Sequence, residues 1–204
     1  MKTSIPTPMK QLLMLSFPLF LVAVLNADQK AYTITGEPII LSSDGTWTYE
    51  LGKKPDFRTA CWGDRQKVVL EREEDDSSRE NEPFLSYKVT IAGMDMEAVY
   101  AFEGNALKGG FYQLKENYID HEKYIAAYQR LREILIDEYG EPHSEAANWK
   151  NDLFKDKPEH WGLALFIEHV DFSVHWNYEN TNILISLGNK EDEISLAIFY
   201  LIQK

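Results

Sequence analysis

Residues 120–142 read DHEKYIAAYQRLREILIDEYGEP, and this stretch decides the fold class. Tyr124, Tyr128, Leu131, Leu135 and Tyr139 recur at intervals of four, three, four and four residues, which puts them on one stripe of an α-helix. Ile125 and Ile134 widen the stripe. Gly140 suits a left-handed stop and Pro142 prevents continuation, so the pattern predicts a helix from about 120 to 139. A helix with a single apolar stripe must cover an apolar layer, and the flanking sequence supplies a sheet.

Upstream of the helix, stretches 85–91, 97–102 and 107–114 alternate apolar and polar residues and are joined by short connections at Gly93-Met94-Asp95 and Gly104-Asn105. Such short joints predict an antiparallel meander. Tyr87, Val89 and Ile91 alternate with Lys88 and Thr90, as in a sheet with one buried face. Gly109-Gly110, inside the third strand, marks a bulge or a close approach of another group to the backbone.

Downstream, Pro158 followed by Glu159 suggests a short helix. Phe172, Val174, Trp176 and Tyr178 then alternate with Ser173, His175 and Asn177. Stretches 183–187 and 194–202 complete a second meander, with turns expected at 179–181 and 188–190. The last strand is apolar on both faces from Leu196 to Leu201, which places it centrally in the sheet.

The region before residue 57 is a small β unit. Stretches 32–35, 39–41 and 46–51 are rich in strand formers, and Ser43-Asp44-Gly45 supplies turn chemistry. Residues 52–56 read as a linker to the main domain, which opens at Cys61-Trp62-Gly63-Asp64 with Asp64 as the expected cap of a short helix bearing Val68 and Val69. Acidic residues at the end of that helix oppose its dipole and predict fraying. Stretch 71–82 holds seven carboxylates without the ligand spacing of a calcium loop, so it reads as a solvated face. The expectation is an α+β fold: an antiparallel meander sheet with the long helix (about 120–139) and shorter helices packed on one face, preceded by a small β-hairpin. Its divisions are 1–27 (signal peptide), 28–52 (N-terminal β-hairpin) and 57–204 (α+β domain).

The leader reading rests on LLMLSFPLFLVAVL at 12–25, an uncharged apolar run preceded by Lys2 and Lys10 and followed by Asn26-Ala27. This is the order of a secretory signal, with cleavage expected after Ala27 and Met9 an alternative start. The run is too short for a membrane span, which needs about 20 apolar residues, and Pro18 interrupts it. A periplasmic or secreted product with no stable membrane span after cleavage is therefore expected. The whole chain of 204 residues has a formal charge of −12. The leader carries two of the 21 basic residues and none of the 33 acidic ones, so the mature chain holds 19 against 33, a charge of −14. A surface of that sign repels phosphate backbones and argues against nucleic acid as a partner. Cys61 is the only cysteine and reads as a buried small hydrophobe.

Two resemblances can be stated on these residues. GEPIILSSDGTWTY, 36–49, resembles a hairpin motif near the mature N-terminus of exported bacterial proteins of unknown function. CWGDRQKVV, YAFEGNAL, YQRLREILIDEYGEP, HWNYENTNILISL and the closing IFY resemble a group of uncharacterised bacterial exported or lipid-anchored proteins. Its lipid-anchored members carry a Cys at the cleavage site, which this chain lacks, so the resemblance implies a free exported protein. The architecture is also similar to helix-plus-meander modules of outer-membrane assembly lipoproteins and of secreted β-lactamase inhibitors, a likeness of fold alone.

Candidate chemistry is sparse. His169, Asp171 and His175 have even spacings and share a strand face, yet the outer two stand about 20 Å apart along an extended strand, too far for one ion. His121-Glu122 lacks a second histidine four residues on and reads as surface decoration. There is no Gly-x-Ser-x-Gly, no Ser-x-x-Lys and no glycine-rich phosphate loop. Neither catalytic residues nor a cofactor or metal is nominated. Trp62 and Trp176 read as core. Trp47 and Tyr49 share the aromatic face of the hairpin, where little core is available to bury them, and are the leading interaction residues. The expected function is a non-catalytic exported module that binds an envelope protein or glycan through an aromatic sheet face or the hairpin. A carboxylate-dependent envelope hydrolase and a secreted enzyme inhibitor are the alternatives.

Overall fold

The computed structural model describes residues 28–75 and 82–203. The expected leader and residues 76–81 of the acidic stretch lie outside the described residues. The fold is α+β, with three helices and ten strands in two antiparallel sheets among the described residues. A three-stranded sheet comes first, formed by β1 (Gln29–Tyr32), β2 (Pro38–Leu41) and β3 (Trp47–Tyr49) in that order. The seven-stranded sheet has the order β4 (Phe84–Ile91), β5 (Met94–Glu103), β6 (Ala106–Leu114), β10 (Glu193–Ile202), β9 (Thr181–Lys190), β8 (Val170–Tyr178) and β7 (Ser144–Trp149). Two runs of hairpins thus meet at the β6–β10 pair, and β10 is central, as its two-sided apolarity requires.

Helices α1 (Gln66–Arg72), α2 (Glu122–Tyr139) and α3 (Trp161–Phe166) pack on one face of this sheet. The stripe read from the sequence is the buried one: Tyr124, Tyr128, Leu131 and Leu135 join a core with Val174, Trp176, Ile183, Ile185, Leu196 and Ile198. Gly140 ends α2 at φ 83°, with its N–H on the Ile136 carbonyl at 2.8 Å, and Trp176 Nε1 donates to the Gly140 carbonyl at 2.8 Å. Pro158 opens a 3₁₀ turn that runs directly into α3, as its position predicts.

Gly109-Gly110 is a site of close approach. Phe57 lies over Gly110, and its ring centroid is 5.0 Å from those of Tyr100 and Tyr112 and 5.3 Å from that of Tyr200. The irregularity in register falls between Ala101 and Phe102 on the neighbouring β5.

Several local expectations are corrected. The first strand is 29–32, not 32–35, because Thr33 to Gly36 form a turn closed by Gly36 N–H to Thr33 O at 3.0 Å. Asp64 does not cap α1; its Oδ2 accepts Cys61 N–H at 2.8 Å and Arg72 Nη1 at 2.5 Å, which ties the start of the segment to the end of the helix. Glu73, beyond that end, is held by Arg58 rather than frayed. Residues 188–190 continue β9, and the turn is Glu191-Asp192, both at positive φ. Strand β7 is additional to the expected set, a solvent-facing edge strand of sequence SEAANW. Cys61 is half-buried rather than buried.

Candidate functional site

All three helices and the segment 57–60 lie on one face of the seven-stranded sheet. The register fixes what occupies the other. One row crosses the sheet as Phe84, Ala101, Gly109, Leu201 and Asn182; the next as Ser86, Val99, Phe111, Phe199, Leu184 and His175. A third reads Lys88, Glu97, Gln113, Ala197, Ser186 and Ser173. The first two rows are apolar at their centres and the third is polar. Phe111 and Phe199 are direct cross-strand partners with ring centroids 5.7 Å apart, and the Leu201 side chain lies over Gly109. Phe84 is 55 % exposed and Leu201 50 %, in contrast to Leu196, Ile198 and Tyr200, which point the other way and are buried. The alternation of β10 therefore supplies a core side and an open apolar side from one strand.

Polar pairs border this surface. Lys150 Nζ is 2.7 Å from Asp171 Oδ2, Lys115 Nζ is 3.3 Å from Glu97 Oε2, and Gln113 Nε2 donates to Ser195 Oγ at 3.1 Å. An apolar centre with a polar rim is the anatomy of a protein-binding patch.

Trp47 and Tyr49 lie on the three-stranded sheet, edge to face with ring centroids 5.3 Å apart. Both are half-buried. Burial and the neighbouring carboxyls of Glu37 and Glu138 raise the Tyr49 hydroxyl pKa, so Tyr49 faces the junction with the main domain. That junction is built from polar contacts: Tyr112 Oη donates to the Thr35 carbonyl at 2.7 Å, Thr35 Oγ1 lies 3.0 Å from Glu138 Oε2, and Lys54 pairs with Glu138. The adjoining pocket, lined by Lys54, Tyr139, Tyr178 and Thr181, encloses ≈ 10 Å³, room for about one water.

A second buried carboxylate is fully engaged. Arg58 Nε and Nη2 grip Glu73 through contacts of 2.9 Å each, Thr59 Oγ1 donates to it at 2.6 Å, and Tyr100 Oη also donates to it. The histidines do not converge. His169 precedes β8 and stacks beside Phe154, Asp171 is paired with Lys150, and His175 is exposed. Among the described residues no group of three His, Cys, Asp or Glu is placed to hold a metal ion. His121-Glu122 is not surface decoration: His121 stacks on Phe166 at 4.1 Å, and Glu122 Oε1 accepts Gly162 N–H at 2.8 Å, so the pair docks α3 on α2.

The chain matches no protein-family model, and no curated protein or solved structure is significantly similar to it. An aromatic sheet face was expected from the sequence, but its residues were not. Phe111 and Phe199 stand out only once β6 and β10 are known to be neighbours.

Proposed function

We propose that this chain is a non-catalytic interaction module of the bacterial envelope, exported by its leader, that binds a protein partner through the open face of the seven-stranded sheet. The observation that carries this reading is the Phe111–Phe199 pair with Leu184 and Leu201 beside Phe199 and Phe84 two strands away from Phe111, all placed by register on the face opposite the helices. Scattered exposed apolar residues are ordinary, whereas a joined patch with a polar rim favours a partner. A protein suits it better than a glycan, because the rings are tilted, at 38°, and interleaved with aliphatic side chains instead of forming a flat stacking platform.

A photo-crosslinker placed at Phe111 or Phe199 of the exported protein tests this. Both positions should give adducts of one defined mass, which a crosslinker at Ile119, exposed in the loop between β6 and α2, does not give. Loss of the adduct on changing Leu201 and Phe84 to Ser supports the face as the binding site. Adducts from Ile119 alone would overturn it, and an adduct of twice the chain mass would assign the face to a second copy.

Trp47 and Tyr49 remain the proposed contribution of the hairpin. They lie on the other side of the seven-stranded sheet, so a crosslinker at Trp47 should give an adduct of its own if a partner reaches the three-stranded sheet. For the hydrolase alternative, Glu37 and Glu138 do not serve as the carboxyl pair, because the adjoining space of ≈ 10 Å³ does not admit a sugar ring or peptide.

A further inference from the structure

Glu37 is only 3 % exposed, although it belongs to a turn of a peripheral sheet. Its own turn supplies one wall. Thr33 and Thr35 direct their hydroxyls at Glu37 Oε2, Thr35 across 2.6 Å, and Thr33 Oγ1 accepts Glu37 N–H at 3.0 Å. Every other element at the junction adds a charged or titratable group: Glu138 and Tyr139 from α2, Lys54 and Arg58 from the connecting segment, Tyr49 from β3, Tyr112 from β6 and Tyr200 from β10. Tyr178 of β8 faces Glu138 and Tyr49. Arg58 is engaged by Glu73 and Lys54 by Glu138, so among the described residues Glu37 has no ion pair of its own.

The hydroxyl of Thr35 lies between the two carboxyls. Thr35 Oγ1 is 2.6 Å from Glu37 Oε2 and 3.0 Å from Glu138 Oε2, and a hydroxyl carries one proton. Both contacts are hydrogen bonds only when one carboxyl brings a proton. A neutral Glu37 donates to Thr35, Thr35 donates to Glu138, and Lys54 balances the charge of Glu138. When both carboxyls are ionised, one contact has no hydrogen and two like charges share a poorly hydrated junction.

We infer that Glu37 and Glu138 form a proton-operated latch, in which one shared proton seats the three-stranded sheet on α2 and its release loosens that sheet. Burial, and then the Glu138 charge, push the Glu37 carboxyl up from 4.5 to about 7, which agrees with the proton count. In the undocked sheet Glu37 titrates in its ordinary range. Docking is therefore strongest below pH 4.5 and weakens as the pH rises through about 7. The undocked population should grow on the order of 50- to 100-fold between pH 5 and pH 8. This inference stands apart from the sheet-face reading, since the latch lies on the opposite side of the seven-stranded sheet.

Amide hydrogen exchange on the full chain, corrected for the intrinsic pH dependence of exchange, tests the latch. Protection of β2 and β3 should fall on the order of 50- to 100-fold from pH 5 to pH 8 while that of β9 and β10 stays constant. Glu37→Gln, which is neutral at every pH, should abolish the difference. In Glu138→Gln, which removes the like charge, the carbon-13 carboxyl resonance of Glu37 should titrate at lower pH than in the parent. Equal protection of β2 and β3 at both pH values, an unchanged loss in Glu37→Gln, or a Glu37 resonance titrating near 4.5 in the parent would each overturn the proposal.

Discussion

The ring of Phe57 fills the space that a side chain at Gly110 would need: a β-carbon built on Gly110 would stand 2.3 Å from Phe57 Cδ1. This contact fastens the segment between the two sheets to the middle of β6, with Phe57 only 1 % exposed. Gly110→Ala must displace a ring that Tyr100, Tyr112 and Tyr200 already enclose. Such overpacking should cost about 1–3 kcal/mol, and Phe57→Ala, which empties the site, about 3–5 kcal/mol. Urea denaturation of the two variants checks the order; a neutral Gly110→Ala would mean that Phe57 can leave.

The sequence was legible where one local pattern determined the outcome. The α2 stripe and the central place of β10 follow from side-chain periodicity within a single element, and the stop of α2 from the backbone preferences of Gly140 and Pro142. The turn at 191–192 was hidden because Gly188-Asn189-Lys190 resembles a turn more than Glu191-Asp192 does. Asn189 in fact stays in β9 and donates to the Phe166 carbonyl at 2.6 Å. Strand β7 has no aromatic or β-branched residue before Trp149, and its pairing with β8 alone makes it a strand. The candidate surfaces were less legible still. Both Phe111 beside Phe199 and Glu37 beside Glu138 are products of long-range pairing, and one buried carboxyl among 33 acidic residues carries no local mark.

Gly162 brings α3 against the start of α2. A β-carbon there would lie 2.5 Å from Glu122 N and 2.6 Å from the His121 carbonyl carbon, both backbone atoms. Gly162→Ala should lower stability by about 1–3 kcal/mol, because the helices must separate and the Gly162 N–H to Glu122 bond lengthens. The neighbouring Leu163, more than a third exposed, should tolerate Ala with a change of about 0.5 kcal/mol or less. Thermal unfolding of the pair distinguishes a packing constraint from a general sensitivity of α3.

Glu73 gathers Arg58, Thr59 and Tyr100 just past the end of α1. Its side chain is 4 % exposed and that of Arg58 19 %, so Glu73→Ala strands a guanidinium and two hydroxyls with little access to water. The loss should be about 3–5 kcal/mol, as for other buried pairs deprived of one partner. By contrast Lys67 and Glu71, 4.0 Å apart and mostly exposed, form a helix-surface pair whose removal should cost roughly 0.5 kcal/mol or less. Chemical denaturation of both variants at one pH decides whether the buried site carries the difference.

The raised Glu37 carboxyl also has a consequence for global stability. In the folded chain it holds its proton to about pH 7, whereas in the unfolded chain it titrates near 4.5, so between these values the folded form binds the extra proton. Stability from this group is complete below about pH 4.5 and is lost as the pH rises through 7. The parent should therefore lose stability relative to Glu37→Gln over that window, by about 3 kcal/mol in total at 1.36 kcal/mol per unit. Taking the difference between the two proteins cancels the other titrating groups to first order, since the remaining acidic side chains, 33 less Glu37, move together in both. Urea unfolding of each at pH 4.5, 6 and 8 measures it. A difference that stays level across the three would show that the Glu37 carboxyl titrates alike in the folded and unfolded chains.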